Sequence, residues 1–227
     1  MRPGFFASTV TVLKKDLLVE LRTRELVTTT GFFGVLVTLL ASLSYTTGPN
    51  VTTRVAPGTI WLTLAFSSVL ALGRAWHRER EESAFTALLV SPTPRGAIFL
   101  GKLIGVLLFV VAVQVIVVPV AALVLHVELG AVWPSLVGLL FLGSLGVAAT
   151  GTLFGAMTVR TRARDLVLAT VLFPLLAPAL LTGVTGTREL LGGAPFEELT
   201  DYFLLLVVFD TVAIAGGLGL FGALVDD

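Results

Sequence analysis

An all-α integral membrane protein with six transmembrane helices is what the sequence predicts, and three observations carry that prediction. Of its 227 residues, 56% are hydrophobic and 13% charged, against roughly a quarter charged in an ordinary soluble domain. Six apolar stretches approach the ~20 residues needed to cross a bilayer: about 29 to 47, 57 to 76, 97 to 125, 134 to 158, 165 to 184 and 202 to 225. The basic residues alternate with them. Arg2, Lys14, Lys15, Arg22 and Arg24 precede the first stretch, Arg74, Arg78, Arg80, Arg95 and Lys102 lie around the second loop, and Arg160, Arg162 and Arg164 sit in the fourth. Only Arg54 and Arg188 fall on the other side, so the positive-inside rule places both termini and the arginine-rich loops in the cytoplasm. Residues 1–227 read as a single transmembrane domain.

Before the first span, residues about 5 to 26 set Phe6, Val10, Leu13, Leu17 and Leu21 three or four apart, with Lys14, Asp16, Glu20, Arg22 and Arg24 elsewhere around the helix. That pattern predicts an amphipathic helix in the cytoplasmic interface. Tyr45, Trp61, Trp76, Trp133 and Tyr202 fall near predicted span ends, where amphipathic rings favour the headgroup level. After Trp76, a short cytoplasmic helix is expected over about 79 to 90. Glu79, Glu81 and Glu82 suit its N-terminus, Phe85, Leu88 and Leu89 form its apolar side, and Ser91 and Pro92 end it. The third span holds Gln114 and Pro119 and is long enough to tilt or break. In the fourth, Gly151 and Gly155 form a G-x-x-x-G pair, as Gly101 and Gly105 do in the third. The fifth span carries Pro174 and Pro178, which favour a hinge, a path lining or a static kink. The stretch about 185 to 200 is too polar to span and is expected as an external loop or shallow re-entrant element. In the last span Asp210 is the one carboxylate well inside the apolar run. Insertion there costs at least about 2.5 kcal/mol, so it is expected to face the bundle, either on a substrate or proton path or as an uncharged or hydrogen-bonded packing group beside Gln114 or a threonine.

Several chemistries are excluded. Fifteen basic residues balance fifteen acidic ones, so no overall basic charge argues for nucleic acid. The absence of cysteine removes disulfides, thiolate ligands, cysteine nucleophiles and the c-type heme attachment motif. The segment Gly96-Ala-Ile-Phe-Leu-Gly101-Lys102-Leu103 matches a phosphate-binding loop except at its last position, where Leu103 offers no hydroxyl for magnesium, and no strand precedes it. Lys102 then reads as a snorkelling anchor for the third span. His77 and His126 lie on opposite sides of the membrane and form no shared metal site; His126, at the external end of the third span, is a candidate single heme ligand beside the plainer reading of a solvated histidine. No Ser-His-Asp set, carboxylate pair or zinc spacing emerges, so a catalytic enzyme is disfavoured. No cleaved secretory signal is expected, since Lys14, Lys15 and Asp16 interrupt the N-terminal stretch.

These elements together resemble the membrane subunit of type-2 ABC exporters. The stretch Glu79-Arg-Glu-Glu-Ser-Ala-Phe-Thr-Ala-Leu-Leu-Val-Ser-Pro92, continuing through Ala97-Ile-Phe-Leu-Gly-Lys102, is similar to the signature of the heme exporter protein B family of cytochrome c maturation. Gly151-Thr-Leu-Phe-Gly-Ala-Met, Thr161-Arg-Ala-Arg-Asp165, Leu172-Phe-Pro-Leu-Leu-Ala-Pro178 and Phe209-Asp210 extend the resemblance over nearly the whole chain. Thr86 stands where many members carry glutamate. The resemblance implies a non-catalytic permease with the type-2 exporter fold, a separate ABC ATPase subunit that binds ATP, a heme-handling membrane protein, a small accessory membrane protein and a second permease copy. Heme is implied as a transported or partner-held ligand. The helix at 79–90, through Glu79, Glu81, Glu82, Phe85, Leu88 and Leu89, is implied as the ATPase-coupling element. The alternatives are a permease for another small molecule or lipid, and a non-transporting membrane scaffold.

Overall fold

The computed structural model describes residues 4–44, 51–81, 90–91, 93–158 and 164–226. Among them the chain forms seven helices and no strand: α1 (Phe5–Thr23), α2 (Glu25–Ser44), α3 (Val51–Glu81), α4 (Arg95–Val124), α5 (Leu129–Thr158), α6 (Arg164–Leu191) and α7 (Phe196–Asp226). Six of these, α2 to α7, are long and apolar enough to cross a membrane. The all-α membrane architecture expected from hydropathy is therefore the one observed. At ~1.5 Å per residue, the 31 residues of α3 and the 30 of α4 exceed the ~30 Å hydrocarbon thickness, so both project beyond it.

Local chemistry explains where the helices stop. Arg24 adopts a left-handed conformation (φ 52°) after α1 and its N–H donates to the Glu20 carbonyl. The Glu20 side chain then accepts from the Val27 N–H at 3.0 Å, satisfying one of the orphan donors at the start of α2. His126 plays the same stopping role after α4: its φ is 55°, and the following Val127 N–H reaches back to the Ala122 carbonyl at 2.8 Å, a Schellman closure. Between α6 and α7 the stop is Gly193, with φ 89° and the Ala194 N–H on the Glu189 carbonyl at 3.0 Å.

That last turn corrects the expected loop at about 185 to 200. α6 runs to Leu191 and α7 begins at Phe196, leaving only residues 192–195 between them. Thr185, Arg188 and Glu189 lower the local hydropathy, yet they occupy the outer face of the helix while Thr187, Leu190 and Leu199 are buried. Proline breaks neither predicted site: Pro119 lies inside α4, and Pro174 and Pro178 inside an unbroken α6. All three are exposed on the outer surface. The cytoplasmic helix expected to begin at Glu79 also differs. α3 continues through Trp76 to Glu81 without interruption, whereas Glu82, Phe85, Leu88 and Leu89 lie outside the described residues.

Glycine holes organise the packing, as expected where lipid offers no hydrophobic incentive and close van der Waals fit must bring helices together. α5 lies centrally, touching α3, α4, α6 and α7. On its α3 side, Cβ atoms at Gly143, Gly151 and Gly155 would collide with Trp61, Leu72 and Trp76 respectively. On its α7 side, Gly138 receives Phe203, and Gly146 receives Phe209 and Asp210. Trp61 also fills the hole at Gly183 of α6. Trp61 and Trp76 are each 1% exposed, which overturns their expected place in an interfacial belt; glycines directly opposite each ring let the helices swallow them. Trp133, at the start of α5, does keep an exposed ring.

Candidate functional site

The packing gathers one set of helix ends. Trp76 near the end of α3 meets Gly155 near the end of α5, Phe99 near the start of α4 meets Gly217 and Phe221 of α7, and Arg95 lies beside Gly222. α1 packs along the start of α4. This is the basic end, since Arg74, Arg78, Arg80, Arg95, Lys102 and the basic residues of α1 all belong to these segments. Arg54 and Arg188 belong to the opposite end, with His126.

At the centre of the basic end sits a buried ion pair. Lys102 is 2% exposed, and its Nζ lies 2.9 Å from Asp16 Oδ2 and 3.1 Å from Oδ1. The same ammonium stands 5.6 Å from the centroid of the Trp76 ring, within cation–π range. Glycine makes the approach possible. A Cβ at Gly101 would strike Val12 and the Thr9 carbonyl, and Gly105 faces the Asp16 and Leu13 side chains. The G-x-x-x-G pair thus receives α1. Lys102 is corrected from a snorkelling anchor to the interior partner of Asp16; the ammonium has a carboxylate beside it and gains nothing by reaching for the interface.

α1 is consequently amphipathic in an inverted sense. Its buried face contains Ser8, Val12 and Glu20, with Asp16 largely enclosed, while Phe6, Val10, Leu18 and Leu21 point outward. Of the five apolar residues expected on one face, Phe6, Val10 and Leu21 are exposed, whereas Leu13 faces Gly105 and Leu17 packs against Ala71 and Phe109; Asp16 and Glu20 also turn to the bundle and not to solvent.

A second polar group lies in the membrane interior. Gln114 Nε2 of α4 donates to Ser144 Oγ of α5 at 2.8 Å, and Ser144 Oγ donates to the Leu140 carbonyl at 2.6 Å. Gln114 also lines a groove of about 180 Å³ between α4 and α5, bounded by Val115, Trp133, Val137 and Phe141. Asp210 is elsewhere: it is 4% exposed, rests on Gly146, and neither carboxyl oxygen has a hydrogen-bond partner among the described residues. The pairing of Asp210 with Gln114 or a threonine expected from sequence is replaced by the Gln114–Ser144 bond. Of the other sequence-derived positions, His126 is an exposed helix-stop residue, and Glu79 and Glu81 lie in the last turns of α3.

Sequence reasoning missed the Asp16–Lys102 pair, the burial of Glu20 and the Trp61–Thr187 hydrogen bond, in which the indole Nε1 donates to Thr187 Oγ1 at 2.8 Å. A signal existed for the first. Asp16 and Glu20 are one helical turn apart, and Lys102 is bracketed by Gly101 and Gly105.

Comparison with known proteins agrees with this architecture over its length. A family model described as CcmB protein matches residues 7–220. A protein named heme exporter protein B from Paracoccus denitrificans is 31% identical over 82% of this chain and 84% of its own. Proteins of the same name from Bradyrhizobium diazoefficiens and Pseudomonas aeruginosa are 25% and 27% identical, over 91% and 87% of this chain and 95% and 89% of their own. With the match running from the first turn of α1 deep into α7, through Asp16, Lys102, Gln114 and Asp210, the chain belongs to the CcmB protein family.

Proposed function

We propose that this chain is the membrane permease subunit of a heme exporter serving cytochrome c biogenesis, and that it is driven by a separate ATPase subunit. The observation that carries the reading is the match over residues 7–220, together with relatives named heme exporter protein B that align over most of both chains. The chain is a transporter subunit and not itself a catalyst. In this proposal the basic end faces the cytoplasm by the positive-inside rule, in the inner membrane. The ATPase docks on the last turns of α3 and the segment that follows, through Glu79, Glu81, Glu82, Phe85, Leu88 and Leu89. Motion there passes into α3 and α4, whose cytoplasmic ends are tied together by Trp76 and Lys102 and to α1 by Asp16.

Heme itself is held by a partner in this reading, a heme-handling membrane protein accompanied by a small accessory membrane protein and a second permease copy. His77 and His126 belong to opposite ends of the bundle, so one copy has no histidine pair for axial ligation. Asp210 and the outer-face prolines of α6 then serve helix packing and bending during transmission. The test is purification of the chain with its native partners. An ATP-hydrolysing subunit is expected to accompany it, and a heme spectrum is expected from the complex and not from the isolated chain. Phe85→Asp with Leu88→Asp is expected to abolish ATPase recruitment while leaving the bundle folded. Unchanged co-purification would refute the docking segment, and heme on the isolated chain would refute the transmitting role.

A further inference from the structure

α1 sorts its charges by sign. Both of its acidic side chains turn inward: Asp16 to Lys102 at 2.9 Å, and Glu20, 5% exposed, to the Val27 N–H at 3.0 Å. Its basic side chains turn outward. Lys14 and Arg22 are exposed, as is Arg24 directly after the helix, and among the described residues none of these three side chains has an ion pair or a hydrogen bond. Lys15 stays near a carboxylate, 3.6 Å from Asp16.

The outward side is not simply charged. Val10, Lys14, Leu18 and Arg22 recur every fourth residue and all are exposed, so they form one row along the helix in which apolar and basic side chains alternate. Phe6 and Leu21, 82% and 70% exposed, flank that row. Its position brings it to the bilayer. Arg22 and Arg24 stand five and three residues before Val27, where the apolar span of α2 opens, and α1 packs along the start of α4, a second spanning helix. Water would suit the cations and leave the valine and leucines bare. A headgroup layer suits both, offering phosphate to lysine and arginine and the acyl boundary to the apolar side chains between them.

We propose that the outward row of α1 binds anionic phospholipid, with Lys14, Arg22 and Arg24 on the phosphates and Val10, Leu18 and Leu21 seated at the acyl boundary. The preference for anionic lipid comes from the sorting of charge. Asp16 and Glu20 are engaged with Lys102 and the α2 backbone, so they do not offset the cations that face the lipid. α1 is then held from two sides, by the Lys102 ammonium on its inner face and by lipid phosphate on its outer one. This surface does not depend on the identity of the transported molecule.

The chain has no cysteine, so Thr11→Cys, an exposed position three residues before Lys14, gives the full chain a single fluorophore on this side of α1. The probe lipids are phosphatidylglycerol and phosphatidylcholine in equal parts in nanodiscs, one or the other carrying a nitroxide quencher high on its acyl chain. At low salt, quenching is expected to show phosphatidylglycerol enriched at least about fivefold, the effect of one basic residue near an anionic surface. The enrichment is expected to fall towards one at about 1 M salt, where screening acts within ~3 Å. Lys14→Gln combined with Arg22→Gln is expected to abolish the preference while phosphatidylcholine still quenches, and Lys14→Arg to keep it. Equal quenching by the two lipids at low salt, or an undiminished preference in the folded double variant, would overturn the proposal. Quenching by neither lipid would overturn it as well, and would leave an acidic protein surface as the occupant of the row. If the double variant does not assemble, the low-salt and high-salt comparison of the unaltered row decides.

Discussion

Two tryptophans of α3, Trp61 near mid-span and Trp76 at the basic end, close the bundle by different chemistry. Each is buried and sits in glycine holes, Trp61 between Gly143 and Gly183, Trp76 over Gly155. At Trp61 the closure is neutral, an indole hydrogen bond to Thr187 at 2.8 Å between two membrane helices. At Trp76 a lysine ammonium lies over the ring, and its counter-charge comes from α1. The mid-span is thus fastened by shape and one short bond. The basic end depends on a charge pair whose carboxylate is supplied by a helix outside the spanning set, so its closure responds to whatever moves α1.

The contrast can be broken most severely at the charge pair. Lys102→Met leaves the largely enclosed Asp16 carboxylate with only the more exposed Lys15 ammonium, 3.6 Å away, and is expected to destabilise by up to about 3–5 kcal/mol, read as a lowered thermal midpoint and as protease access to α1. Adding Asp16→Asn to that variant is expected to recover part of the loss, since removing both members of a buried pair is far milder than removing one. A double variant as unstable as the single one would show that the pair's charge is not what matters. Next come the holes: Gly143→Ala and Gly155→Ala are each expected to cost about 1–3 kcal/mol by overpacking, and similar losses at the two tryptophans, with altered fluorescence, would confine the difference between them to the partner and not the fit. Thr187→Val, which removes only the neutral bond, is expected to cost about 0.6 kcal/mol. Trp133→Leu, at an exposed ring, is expected to stay within about 0.5 kcal/mol of wild type and calibrates the series.

Hydropathy revealed the six spans because crossing a bilayer constrains about twenty consecutive residues at once, and the alternation of arginine-rich and arginine-poor segments matches the two ends of the bundle. What hydropathy does not carry is the identity of a neighbour. Trp76 beside a run of arginines has the composition of an interfacial residue, and only Gly155, 79 residues later, makes it interior. Lys102 beside a glycine has the composition of an anchor until Asp16 arrives from another helix. The segment around Thr185 to Glu189 resembles a loop for a related reason: averaging over a window mixes an outer polar face with the buried Thr187 and Leu190, and the mean falls below that of a span. The Gln114–Ser144 bond was hidden in the same way, since a glutamine within an apolar run announces a need for a partner without saying which.

The distance in sequence between Asp16 and Lys102 has a consequence for biosynthesis. The two residues are 86 positions apart, and at roughly 5–20 residues per second a ribosome needs about 4–17 seconds to extend from one to the other. During that interval α1 has no glycine-floored site to enter, because Gly101 and Gly105 are also unmade. α1 is therefore made before its docking site exists and takes its final place only after α4 has been synthesised. A bulky fusion at the N-terminus would burden that delayed docking step more than the insertion of any span.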